Sequence, residues 1–151
     1  MEKTRDTWAT PLDFYTWVDK RWKPSLDVCA SAANTKCPSF ITREQNAFHT
    51  PWNPQNKVAW CNPPGSEVSA WIPLCAQQAT EKGLTVICLV QAGVGSTWFR
   101  EYHRRASTYL LTPRVQFVPP KGIKKSSNSR DYMLMEFGPS ATGYIWVCKW
   151  K

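Results

Sequence analysis

The run Leu84-Thr-Val-Ile-Cys-Leu-Val90 constrains the fold more than any other stretch. It is apolar apart from Thr85 and rich in strand-forming side chains, so it reads as a buried strand. Ahead of it, Trp71, Ile72, Cys75, Ala76 and Ala79 recur at helical spacing and make one apolar face, which Gly83 ends. Pro73 is tolerable in a first helical turn, where amide donors lack partners anyway. That places the helix start near Ala70, with Ser66 or Ser69 as the cap. Lys57-Val-Ala-Trp-Cys61 is a second strand, joined to this helix by Asn62-Pro63-Pro64-Gly65. Beyond Val90 comes a flexible loop, then a helix from Thr97 capped by Ser96. Strand and helix therefore alternate through the middle of the chain, the pattern of a mostly parallel sheet with helices on its faces.

The flanks extend this pattern. Pro11 suits the first turn of a helix that runs to Trp22 and stops before Pro24. Ser25–Ala30 holds a short buried strand closing near Asp27 to Cys29. Ser107–Leu111 and Arg114–Val118 read as strands. Asp131–Phe137 and Gly143–Trp150 read as a terminal antiparallel hairpin. The expectation is one α/β domain over residues 1–151, a mostly parallel sheet with an antiparallel C-terminal hairpin. Few residues separate Asp27 from Asn62, so the first half of the sheet is expected to be trimmed. Ligands of such sheets gather at the carboxyl ends of strands. Asp27, Asn62 and Gln91 each follow an apolar run and can face one crevice.

Charge and cysteines narrow the class. The net charge of +8 favours a polyanion, usually nucleic acid. No apolar run is long enough to cross a bilayer, and the N-terminus has no secretory leader pattern. The six cysteines show neither a Cys-x-x-Cys pair nor a Cys/His zinc spacing. They read as reduced core residues of a cytosolic protein, with no metal expected.

The Asn-Pro-Pro-Gly elbow admits two readings. Asn-Pro and Pro-Gly both make good turns. Alternatively, two residues without amide hydrogens and with fixed φ hold the Asn62 side chain and nearby carbonyls as a rigid, acceptor-rich edge. Such an edge suits an amino group. An adenine amino nitrogen is a poor nucleophile because its lone pair is delocalised into the ring. Two acceptors on its hydrogens draw it towards tetrahedral geometry and stabilise the charge that grows as it attacks a methyl carbon. Neither a strong base nor a metal is required.

Several ordered stretches carry a family resemblance. They are Asp6-Thr-Trp-Ala-Thr-Pro11, Leu26-Asp-Val-Cys-Ala-Ser31, Asn34–Thr42, Trp60-Cys-Asn-Pro-Pro-Gly65, Gly95–Tyr102 and Arg114–Pro120. Together the chain resembles the phage-type DNA adenine-N6 methyltransferases. The resemblance implies a Rossmann-like fold, the cofactor S-adenosyl-L-methionine, double-stranded DNA as partner, and a phage setting with a part in restriction-modification. It implies that Asn62 and the Pro63 carbonyl hold the target amino group of an extruded base, that Pro64 stiffens the elbow, and that transfer is direct and in line. Thr10, Pro11, Asp27, Cys29, Ala30 and Ser31 would line the methionine end of the cofactor, and Asn46 would sit near its adenine. The sequence departs from the family at Gly65, where an aromatic usually stacks on the base, and at Asn46, where Asp is frequent. Trp60, Trp71 or Trp98 are the candidates to replace the aromatic.

Lys121, Lys124, Lys125 and Arg130 crowd one polar loop, and Arg104-Arg105 adds charge elsewhere. They read either as solvated surface or as phosphate contacts that hold DNA during base extrusion. Two rival functions stay open. One is a catalytically decayed methyltransferase fold that only binds nucleic acid. The other is methylation of a protein glutamine amide, whose amino group poses the same chemical problem. His49 and His103 read as surface residues.

Overall fold

A computed structural model describes residues 7–151; Asp6, the first residue of the N-terminal motif, lies outside them. The elements are α1 (Leu12–Trp22), β1 (Leu26–Asp27), β2 (Ser39–Phe40), β3 (Val58–Cys61), α2 (Val68–Lys82), β4 (Thr85–Gln91), α3 (Thr97–Tyr102), β5 (Ala106–Thr112), β6 (Tyr132–Phe137) and β7 (Ile145–Lys149). The strands form one sheet in the order β2-β1-β3-β4-β6-β5-β7. β1, β2, β3 and β4 run parallel, and β6 alone is inserted antiparallel to both neighbours. The α/β class and the mainly parallel sheet with an antiparallel element near the C-terminus match expectation, that element being β6.

Strand alternation sends side chains to two cores. Val86, Cys88 and Val90 of β4 enter one, with the inner face of α2 and Phe99 of α3. Ile87 and Leu89 enter the other, with Phe14, Tyr15 and Val18 of α1. Ala59 and Cys61 of β3 face α2, whereas Trp60 faces α1, where Tyr15 meets it edge-on at 5.4 Å between centroids. This alternation packs helices against both faces and leaves the carboxyl ends of β1, β3 and β4 along one rim.

Four local expectations are corrected. α2 begins at Val68, not near Ala70, so Pro73 lies inside it rather than in the first turn. A 3-10 turn over Gly65–Glu67 leads into the helix, with the Glu67 amide donating to the Pro64 carbonyl at 2.9 Å. The proline leaves the Ser69 carbonyl without its helical donor; Ser69 is exposed, so water can serve that group. Second, neither Ser66 nor Ser69 caps the helix: Glu67 holds that position, with no side-chain cap bond. Ser96 does stand at the N-cap of α3, but its hydroxyl donates to the Gly93 carbonyl, closing the loop before the helix. Third, Arg114–Val118 is no strand. It is extended chain whose single bridge pairs Ala9 with Val118, because β7 takes the place beside β5. Fourth, β6 and β7 do not pair as a hairpin. β5 lies between them and runs parallel to β7.

Candidate active site

Asn62 stands immediately after β3 on the rim. Its side-chain nitrogen donates to Thr10 Oγ1 at 3.0 Å, and Thr10 is buried. Thr10 is placed in turn by its neighbour Ala9, whose amide and carbonyl both bond to Val118 (2.8 and 2.9 Å). The Asn62–Thr10 bond fixes the amide plane and turns Asn62 Oδ1 away from Thr10. Pro64 continues the elbow in extended geometry, φ −53° and ψ 133°.

The elbow separates two cavities. The larger, about 490 Å³, is lined by Asn62, Pro63, Gly65 and Gln91, with Arg130 at its edge and Trp8, Phe117 and Tyr132 as its aromatic wall. Phe117 and Tyr132 pack together at 4.7 Å between centroids. Arg130 reaches Gln91, its guanidinium donating to Oε1 at 3.2 Å. The smaller cavity, about 280 Å³, is lined by Cys29, Asn46, Phe48, Pro64, Glu67 and Trp71 among others. Phe48 meets Trp71 edge-on at 5.0 Å. Asn46 adopts the left-handed conformation (φ 61°), and its Oδ1 accepts from the Phe48 amide at 3.0 Å, a local bond that makes the conformation tolerable.

Asp27 shapes this region without lining either cavity. It is 3% exposed, and its two carboxyl oxygens accept from the amides of Cys29 (3.3 Å) and Lys36 (3.1 Å), which closes the loop between β1 and β2. Burial pushes its carboxyl up to about 7, against the opposing pull of those two amides and the Lys36 charge. The unfolded carboxyl ionises near 3.8, so between these values the folded chain holds a proton that the unfolded chain has lost. Stability is therefore fullest below about pH 4 for this group and declines as pH rises through about 7. Denaturant midpoints across this range should show the decline, worth a few kcal/mol, and Asp27→Asn should flatten it. An unchanged slope in the variant would remove Asp27 as its source.

The structure thus brings together Asn62, Pro63, Pro64, Gly65, Thr10, Cys29, Asn46 and Arg130 at one rim. Ala30 and Ser31 sit in the loop closed by Asp27, bonded to Ile41 and Asn34. Pro11 turns to a different cavity, shared with Lys125 and Trp150. Arg104 and Arg105 lie far from the elbow: they precede β5, whose first residue pairs with Phe137, level with the opposite end of β4. The length of β4, about 20 Å, separates the two ends. Trp60 is core, and Trp71 belongs to the smaller cavity, so neither faces the larger one. His103 is half-buried and stacked on Phe99 at 5.2 Å rather than standing free at the surface. Sequence reasoning passed over Trp8, Phe117 and Tyr132 as site residues. The available signal was that the first two fall within motifs that carry the resemblance.

A mostly parallel sheet with helices on both faces and an Asn-Pro-Pro elbow between two rim cavities is the architecture of a methyltransferase-type α/β protein. A family model for DNA N-6-adenine-methyltransferase (Dam) matches residues 1–143, and the chain belongs to that family. It is an enzyme of that class, a DNA adenine-N6 methyltransferase. It is similar to the DNA N-6-adenine-methyltransferase of Haemophilus phage HP1 (strain HP1c1), 31% identical over 142 residues that cover 91% of this chain and 81% of the relative.

Proposed function

We propose that the enzyme moves a methyl group from S-adenosyl-L-methionine to the N6 amino group of an adenine extruded from double-stranded DNA. The observation that carries this reading is the elbow's position between two cavities of different character. The smaller fits the cofactor's adenosine: the Phe48–Trp71 pair offers apolar surface to a flat ring, while Asn46, Thr42 and Glu67 offer polar edges. Cys29, on its wall, and the loop closed by Asp27 are assigned, with Thr10, to the methionine end. When bound, S-adenosyl-L-methionine supplies an electrophilic methyl carbon on a sulfonium.

The larger cavity receives the base. Asn62 Oδ1 and the Pro63 carbonyl accept the two amino hydrogens, which directs the nitrogen lone pair at the methyl carbon and stabilises the developing charge. Bound in the smaller cavity, S-adenosyl-L-methionine would supply its sulfonium methyl group to this nitrogen, and the surplus amino proton would pass to solvent. Trp8, Phe117 and Tyr132 supply the apolar wall that Gly65 does not. Stacking of a base on such a side chain is worth about 1–3 kcal/mol. Trp8→Ala or Tyr132→Ala should therefore weaken the productive DNA complex roughly 5- to 150-fold. Trp146→Ala, on the distant β7 edge, should leave it unchanged; equal losses in all three variants would rule out a specific wall.

Arg130 at the cavity and the exposed lysines Lys121, Lys124 and Lys125 of the same loop are assigned to DNA phosphates. Buried Asn128 pins this loop, its amide nitrogen donating to the Val115 and Arg130 carbonyls at 2.9 Å each. Neutralising the three lysines together should reduce the log–log salt slope of DNA binding by up to about 3. An unchanged slope would take the loop out of the interface.

The deciding experiment is incubation with unmethylated double-stranded DNA and methyl-labelled cofactor, followed by nucleoside analysis. Label in N6-methyl-2′-deoxyadenosine is expected. Label in protein or another nucleoside would overturn the substrate assignment. Tight DNA binding without calorimetric binding of the cofactor would favour a non-catalytic module. The setting we assign is the host cytoplasm, with DNA modification against restriction as the purpose.

A further inference from the structure

Cys61, Cys75 and Cys88 are far apart in sequence, yet their sulfurs all lie within 4.8 Å of one another, and all three residues are fully buried. Cys61 ends β3, Cys88 is its register partner on β4, and Cys75 projects from the inner face of α2. None of the six cysteines is in a disulfide. Burial first, and then thiol hydrogen bonds with Cys75 and Cys88, hold the Cys61 thiol well above its ordinary range, so the resting state of that thiol is protonated.

The triangle has nearly the dimensions of a three-sulfur coordination site. Three sulfurs about 2.3 Å from one pyramidal centre stand under about 4 Å apart, so closing a triangle whose sulfurs lie within 4.8 Å of one another draws each sulfur inward by up to roughly an ångström. Among the described residues no fourth histidine, cysteine or carboxylate joins the group, and the core around it is apolar. Both facts disfavour zinc. Structural zinc takes four ligands, and a divalent ion with three thiolates would leave a net negative charge in a core that offers no counter-charge. A trivalent arsenical avoids both problems. Arsenous acid and three thiols exchange to a neutral three-sulfur arsenic centre and three waters. Three arsenic–oxygen bonds break, three arsenic–sulfur bonds form, each thiol hydrogen leaves with a hydroxide, and nothing is oxidised or reduced.

We propose that Cys61, Cys75 and Cys88 form a latent three-thiol site for trivalent arsenic, and that its occupation disables the enzyme. The link to function is covalent: Cys61 directly precedes Asn62. Drawing the Cys61 sulfur towards Cys75 strains the β3 terminus against α2, and the elbow is the connection between those two elements. Displacement of a positioning group by an ångström costs on the order of a hundredfold in rate.

The test uses the full-length protein and arsenite. Native mass spectrometry of the wild type should show one arsenic added with loss of three hydrogens. Arsenic X-ray absorption should show three sulfur neighbours and no oxygen. DNA methylation should fall on the order of a hundredfold. Cys75→Ala, which touches neither cavity, should retain basal methylation, lose the three-thiol adduct and resist arsenite. Absence of an adduct, an arsenic with two sulfurs and one oxygen, or an identical adduct in Cys75→Ala would each overturn the proposal. If Cys75→Ala fails to fold, the wild-type absorption spectrum decides alone. Binding with undiminished methylation would overturn the coupling to the elbow.

Discussion

Asn62→Ala is expected to lower the single-turnover rate of methyl transfer about 10²–10³-fold, the usual effect of deleting one preorganised group that stabilises transition-state charge. Cofactor affinity should hold, because Asn62 lines the larger cavity and not the smaller one. Thr10→Val should give a smaller loss. It keeps the Asn62 acceptor but removes the 3.0 Å bond that orients the amide. Rapid-quench assays on both variants separate presence from orientation of the same group. A wild-type rate in Asn62→Ala would remove the elbow from the chemistry.

Trp52→Ala is expected to cost about 3–5 kcal/mol of stability, in the range for truncating a buried tryptophan. Trp52 is fully buried in the α2-side core. Its indole nitrogen donates to the Ala47 carbonyl at 2.9 Å, and its own carbonyl accepts from Lys82 at the end of α2 at 3.2 Å. It therefore holds the segment carrying Asn46, Ala47 and Phe48, all on the wall of the smaller cavity. Trp52→Phe keeps much of the volume but leaves the buried Ala47 carbonyl without its donor, for about 1–3 kcal/mol. That variant should fold, bind S-adenosyl-L-methionine more weakly, and bind DNA as the wild type does. Denaturant midpoints and calorimetry with each ligand check this. Equal weakening of both ligands would show general loosening instead.

Much of this architecture was legible from local physics. Leu84–Val90 is buried apart from half-exposed Thr85 because alternate side chains meet two different helical layers, which is why the run looked continuous. Pro24 and Gly83 were readable stops: α1 ends at a left-handed Lys23 just before the proline, and Gly83 takes φ 66° at the end of α2. The elbow was legible because two prolines after an asparagine restrict the backbone whatever surrounds them. What misled was context. Arg114–Val118 has strand-like residues, but the place beside β5 is taken by β7. Pro73 looked confined to a first turn, yet α2 places it inside and leaves the freed carbonyl near solvent. Arg104 and Arg105 read as phosphate contacts apart from the basic loop, and only the direction of β5 shows that they stand at the rim opposite the elbow.

The alternation of strand and helix, the stiffness of Asn62-Pro63-Pro64 and the basic surface follow from the residue order, because periodicity, ring closure and formal charge are properties of neighbouring residues. Three-dimensional packing alone settled which aromatics line the larger cavity, that Thr10 aims the Asn62 amide, and that three cysteines from separate elements meet beneath the elbow. Those are distances between groups remote in sequence. They are set by strand register and helix packing, which no local pattern encodes.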